Sequence, residues 1–276
     1  MPPTIQQIIE HQIEQCTPHE QRLLHAASVE GMEFSAEAVA AALGDKAERI
    51  AARCQKLVER RHFLQPAGYR RISGGRQIYL FGFTHAMYQS TCYQLVPDEL
   101  RARLHKRLAE YIESFDGAGI LKPAAWLAMH FDRGMEQVQA LKYYLEAAGK
   151  ANSRYAGPEA EAMARRGLEL IRLLPRNSDL MAQEMSLFIA FGTAMMSRRG
   201  IGSEEVSRAF NQARDLFDHL DQPLRSSQKN LLFSALNGLW HFHWVRAEYA
   251  EARNLAENLM RLAKDLADPS MLQQAH

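Results

Sequence analysis

The chain has 276 residues, 47% of them apolar and 24% charged, with a formal net charge of +1 at pH 7. That balance belongs to a folded chain with a sizeable core and excludes dominant disorder. The most apolar stretches, around 187–196 and 231–244, are too short and too polar to span a bilayer. Cys16, Cys54 and Cys92 are scattered with no C-x-x-C, which excludes a disulfide framework and a zinc knuckle, and Met1 is followed by no secretory leader, so a reducing cytoplasm is the expected setting.

Ile5, Ile8, Ile9 and Ile13 share one face of an opening helix. Thr17-Pro18-His19-Glu20 then reads as a capping box, with Leu23, Leu24 and Ala27 turned inward and Gly31 as the break. Ser35 caps a further helix that Gly44 stops, and Asp45-Lys46-Ala47-Glu48 predicts another capping box, before a helix that buries Ile50, Cys54, Leu57 and Val58. Phe63-Leu64-Gln65 and Ile78 to Phe83 look extended, with Gly68 and Gly74-Gly75 as turn residues between them. Three short helices followed by a two-stranded ribbon outline a winged helix.

Everything after the ribbon reads as helix. Asp98 opens one through Leu100, Leu104, Leu108 and Ile112; residues 115–122 form a Gly-containing linker; and Trp126, Leu127, His130 and Phe131 mark the next face. Gly157-Pro158, Gly202-Ser203 and Ala247-Glu248 then recur 45 residues apart, and Pro175, Pro223 and Pro269 recur 48 and 46 apart. This spacing predicts helical pairs near 136–174, 178–221 and 226–267, a solenoid of hairpins. Tyr249-Ala250-Glu251-Ala252 with Ala256 resembles the second helix of a tetratricopeptide repeat. The expected division is a lead-in helix over 1–16, a winged-helix domain over 17–96, a helical linker over 97–134, and tetratricopeptide-like repeats over 135–276. With no polar closing helix, the repeats read as cut short, so the chain is expected to be a piece of a longer protein. The predicted fold is mainly α, a winged helix with a small β-ribbon followed by an α-solenoid.

The motifs that carry chemistry are few. Gly149-Lys150 lacks the upstream glycine and the following Ser/Thr of a phosphate-binding loop, and neither G-x-S-x-G nor H-E-x-x-H occurs. His241 and His243 stand two apart on a helix and cannot grip one ion together, so no metal is expected. Residues 51–76 carry Arg53, Lys56, Arg60, Arg61, Arg70, Arg71 and Arg76 against Glu59 alone, a net of +6 that leaves the rest of the chain at −5. Arg60, Arg61, Arg70, Arg71 and Arg76 are therefore candidate contacts for DNA phosphates or an acidic partner, with 49–61 as the recognition helix. Tyr144, Phe188, Trp240 and Trp244 are candidate residues of a groove on the repeats.

Pro18 through Gly31, Phe34-Ser35, Phe83-Thr84-His85-Ala86-Met87-Tyr88-Gln89 and Arg101-Ala102-Arg103-Leu104-His105 together resemble the region that follows the nucleotide-binding core in bacterial signal-transduction ATPases with numerous domains. These are AAA-related regulators, often fused to cyclase, kinase or transcription-factor domains. In related switch ATPases a winged-helix histidine, in a Met-His-Asp motif, contacts the β-phosphate of bound ADP. His85 stands at the corresponding place, with Thr84 and Ala86 as its neighbours, and the resemblance implies that it senses nucleotide.

The expected function is a non-catalytic regulatory and interaction segment. It would hold no cofactor itself, ATP or ADP belonging to the parent protein, and it would work on a preceding ATPase domain in cis. A protein or small-molecule signal would reach the repeats, and no membrane is involved. The competing expectation is a DNA-binding winged-helix transcriptional regulator with a helical-repeat sensor.

Overall fold

A computed structural model describes residues 4–60, 63–71, 77–115, 123–220 and 225–275. Among them the chain is mainly helical, with fourteen helices and one small antiparallel sheet of three strands. It divides into two compact units, Met1–Glu136 and Gln137–His276.

The first unit contains α1 (Ile5–Glu14), α2 (Pro18–Glu30), β1 (Glu33–Ser35), α3 (Ala36–Leu43), α4 (Ala47–Glu59), β2 (Leu64–Arg71), β3 (Gln77–Phe83), α5 (Ala86–Gln94), α6 (Asp98–Phe115) and α7 (Ala124–Arg133). The capping box at α2 forms: Thr17 Oγ1 accepts from Glu20 N, and the Glu20 carboxylate accepts from Thr17 N at 2.9 Å. Ser35 caps α3 by accepting from Ala38 N at 3.1 Å, and Gly44 ends it in the left-handed region, at φ 67°, which favours glycine. The box predicted at Asp45 does not form. Lys46 takes the N-cap of α4 without a side-chain cap, because the Asp45 carboxylate is already bound by Lys46 N, Arg49 and Arg53. The predicted linker glycines at 117 and 119 and the turn glycines at 74 and 75 lie outside the described residues.

The sheet has one strand more than the sequence suggests, in the order β1-β3-β2. β1 pairs with β3, Phe34 opposite Phe81, and β2 pairs with β3 from Leu64↔Phe83 to Arg71↔Gln77, with a bulge between Pro66 and Gly68. Phe34 packs on Phe81 and Phe83, ring centroids 6.1 and 5.7 Å apart, and these rings join Leu23, Leu24, Val39, Ile50 and Leu57 in the core. Helices α5, α6 and α7 are tied by a buried polar chain. Tyr93 Oη lies 3.0 Å from His105 Nε2, and His105 Nδ1 lies 3.1 Å from His130 Nδ1. The Trp126 indole stacks on His130 at 3.6 Å, and Arg133 donates to Tyr93 Oη.

The second unit is α8 (Gln137–Ser153), α9 (Gly157–Ile171), α10 (Ser178–Arg199), α11 (Glu204–Phe217), α12 (Ser226–Val245), α13 (Tyr249–Leu266) and α14 (Pro269–Ala275). Each helix packs on the next from α8 to α14, and α10 also packs on both α8 and α12. Close approach comes from glycine. Gly167 lies beneath Leu187, and Gly192 and Gly238 both face the ring of Phe210, which is 2% exposed.

Candidate functional site

β3 runs through the core and delivers the chain to α5 at Thr84 and His85. Thr84 N donates to Phe63 O at 2.9 Å, which pins the end of β3 to the start of β2. His85 follows in an extended conformation and is the N-cap of α5. Its Nδ1 accepts from Met87 N at 3.1 Å. A nitrogen that accepts an N–H carries no proton, so the neutral ring holds its proton on Nε2. The imidazole is exposed, at the positive end of the helix dipole. Behind it, Tyr88 packs edge-on against Phe63 at 5.3 Å, and Gln89 donates to Ser28 O at 2.7 Å, fixing α5 against α2. The local geometry is therefore an exposed N–H donor on a braced helix start, an arrangement that suits an anion.

The basic stretch is placed differently from a free cationic face. Arg60 caps the end of α4, and its Nη1 donates to Glu20 Oε1 at 3.0 Å. Burial raises the Glu20 pKa, but the Thr17 hydrogen bonds and the Arg60 charge outweigh it and leave the carboxyl below its ordinary value. Arg49 and Arg53 are both held by Asp45. Arg70 is half-buried in β2 beside Glu30 and Glu33, and Arg71 is exposed at the end of the same strand. Arg61 and Arg76 lie outside the described residues. The exposed face of the ribbon carries Tyr69 and Tyr79 directly opposite each other.

Of the four aromatic residues predicted on the repeats, Tyr144 and Phe188 are 5% and 8% exposed. Phe188 packs with Ala213 and Ala235, a helix–helix contact. Trp240 and Trp244 stack on each other at 5.5 Å on α12, and Trp244, which is 54% exposed, meets the exposed Tyr249 edge-on at 5.6 Å. His241 and His243 do not share a ligand. His241 Nδ1 bonds Asn237 O at 2.8 Å, and His243 Nδ1 bonds Glu248 Oε2 at 2.6 Å. Among the described residues no group of three or more His, Cys, Asp or Glu is arranged to hold a metal. Cys54 and Cys92 are buried thiols whose pKa desolvation pushes up to about 12, which makes them poor nucleophiles. No described helix is long and apolar enough to cross a membrane. The buried Tyr93–His105–His130 chain was missed by sequence reasoning, since its members fall on three helices and only folding brings them together.

The comparisons with known proteins add little to this geometry. No protein-family profile matches the chain, and no solved structure matches it. The chain is similar to an uncharacterized protein of Rhizobium meliloti (strain 1021), 25% identical over 136 residues. The matched stretch is 49% of this chain and only 13% of that relative's length.

Proposed function

We propose that the chain is a non-catalytic regulatory and interaction segment of a larger cytoplasmic signalling ATPase. In this reading a winged helix over 17–96 gates the nucleotide state, and tetratricopeptide-like repeats over 135–276 receive a protein or small-molecule signal. One observation carries the reading. His85 sits at the start of α5 with Nδ1 occupied by the cap and Nε2–H left outward, the donor that a β-phosphate of bound ADP requires. The order helix, strand, two helices, two strands from α2 to β3, with the first strand beside the last, supports the winged helix. The stepwise packing of α8 to α13 supports the repeats. The Rhizobium meliloti relative supports a multidomain setting, because the matching stretch is a small part of it. The signal acts by binding the open state better than the ADP-locked one; with equal affinities nothing moves.

The test is His85→Asp in the full-length protein. Aspartate caps a helix at least as well as histidine, but it repels phosphate. ADP should copurify with the wild type and be lost from the variant, with basal signalling raised. Equal ADP in both proteins refutes the sensor. The DNA-binding alternative rests on Arg70, Arg71 and the Tyr69–Tyr79 face; it is weakened by the ion pairs that occupy Arg49, Arg53 and Arg60. A salt-dependent gel shift that survives Arg60→Gln and disappears with Arg71→Gln would revive it.

A further inference from the structure

A second basic site lies in the first unit, away from the ribbon. Arg22 and His25 stand three apart on α2, and Arg103 and Arg107 stand four apart on α6, so each pair shares one helix face. Helices α2 and α6 pack together, with α3 against α6, and the two pairs line one cleft of about 210 Å³ whose remaining wall is apolar, including Ala42 and Leu104. No carboxylate lines it. Arg107 is oriented by donating from Nη1 to Ala42 O at 3.0 Å, which leaves its other N–H groups unused by that contact. The side chains of Arg22 and Arg103 make no hydrogen bond or ion pair with any other described residue. The Nε2 atom of His25 is shielded from solvent and has no hydrogen-bond partner among the described residues.

This arrangement is costly to the fold. Two arginines at i, i+4 repel, and three guanidinium groups around one cleft without a counter-charge repel further. Many of the chain's other arginines are held in ion pairs, as at Asp45, Glu20 and Glu204. We infer that the cleft binds a small phosphorylated ligand, its phosphoryl oxygens taken by Arg22, Arg103 and Arg107, with His25 as a further donor and Leu104 and Ala42 against the organic moiety. Planar guanidinium forks match phosphoryl oxygens in pairs, and the volume admits a phosphoryl group with a small substituent but not a folded partner. The site is independent of the nucleotide contact proposed for His85, and its test needs no ATPase domain.

The experiment is calorimetric titration of the purified 276-residue chain with inorganic phosphate and with pyrophosphate at low ionic strength, beside a phosphoserine peptide. Saturable binding of phosphate or pyrophosphate is expected, weakened about tenfold or more by Arg22→Gln or Arg103→Gln, since each removes charge-assisted bonds. Both side chains are exposed, so neither change threatens folding. Arg253→Gln, which removes the same charge from an exposed position on α13, should leave binding unchanged. The inference is overturned if neither anion saturates, if Arg253→Gln weakens binding as much as the cleft variants, or if the peptide binds more tightly than both anions.

Discussion

The ring of Phe210 lies directly against Gly238: a Cβ added at position 238 would fall 2.5 Å from Cε2 and Cζ of that ring. Phe210 is buried, and Gly192 approaches the same ring atoms, where a Cβ would come within 2.9 Å. Gly238→Ala is therefore expected to destabilise the second unit by about 1–3 kcal/mol through overpacking, despite alanine's better helix propensity. Urea denaturation measures this, and Phe210→Leu combined with Gly238→Ala should recover part of the loss. A neutral or stabilising Gly238→Ala would show that α11 and α12 are not held this close.

Stability should fall as the solution is acidified from neutrality. Burial first, then the charges of Arg133 and Arg101, hold the His105 pKa down at about 3, against 6.5 for an ordinary histidine. The unfolded chain takes up a proton near pH 6.5 that the folded chain refuses. Stability is thus full above about pH 6.5 and is lost toward about pH 3, by up to about 1.4 kcal/mol per pH unit for this one group. His25, whose pKa burial also lowers, adds to the slope with the same sign. Urea midpoints between pH 7 and pH 5 should drop in the wild type and drop less steeply in His105→Gln. Parallel slopes in the two proteins would count against a protonation penalty at His105.

His85 also has a structural role that can be separated from any contact with nucleotide. In the isolated chain His85→Ala removes the side-chain cap of α5 and should cost about 1 kcal/mol, whereas His85→Asp should restore wild-type stability. Thermal melts of the three proteins decide this. If His85→Asp is as unstable as His85→Ala, loss of ADP from the aspartate variant in the longer protein can no longer be credited to its charge.

The aromatic residues of the second unit should divide sharply. Phe188→Ala opens a cavity among Ala213 and Ala235 and should cost about 3–5 kcal/mol. Trp244→Ala loses only ring contacts to Trp240 and Tyr249 and should cost about 1 kcal/mol or less. Comparable losses at the two positions would mean that Trp244 is packed rather than exposed.

What the sequence disclosed depends on the range of the forces involved. The capping box of Thr17 and Glu20 and the helix breaks at Gly157, Pro175, Gly202 and Pro269 act within a few residues, and both are legible, while Pro223 lies outside the described residues. β1 is three residues long, too short for an alternating pattern to register. The Asp45 box failed because Arg53, eight residues on, competes for the same carboxylate. The Arg60–Glu20 pair spans 40 residues, and it turns a cation predicted to face a partner into an internal tie. The place of His85, by contrast, was legible, since the end of a strand and the start of a helix meet there. The cleft of Arg22, His25, Arg103 and Arg107 left no local trace, because it exists only where α2 meets α6.

The small sheet also bears on how the protein behaves when crowded. Its outer strands are β1 and β2. The first offers only three residues for a foreign chain to pair with, and the second is interrupted by Pro66, which has no N–H to donate, and by the bulge at Pro66/Gly68. A flat ladder of spare donors and acceptors, the template on which amyloid-type stacking grows, is thereby denied to neighbouring molecules at both margins, and the aromatic Tyr69–Tyr79 face can stay in water without recruiting copies of itself edge to edge.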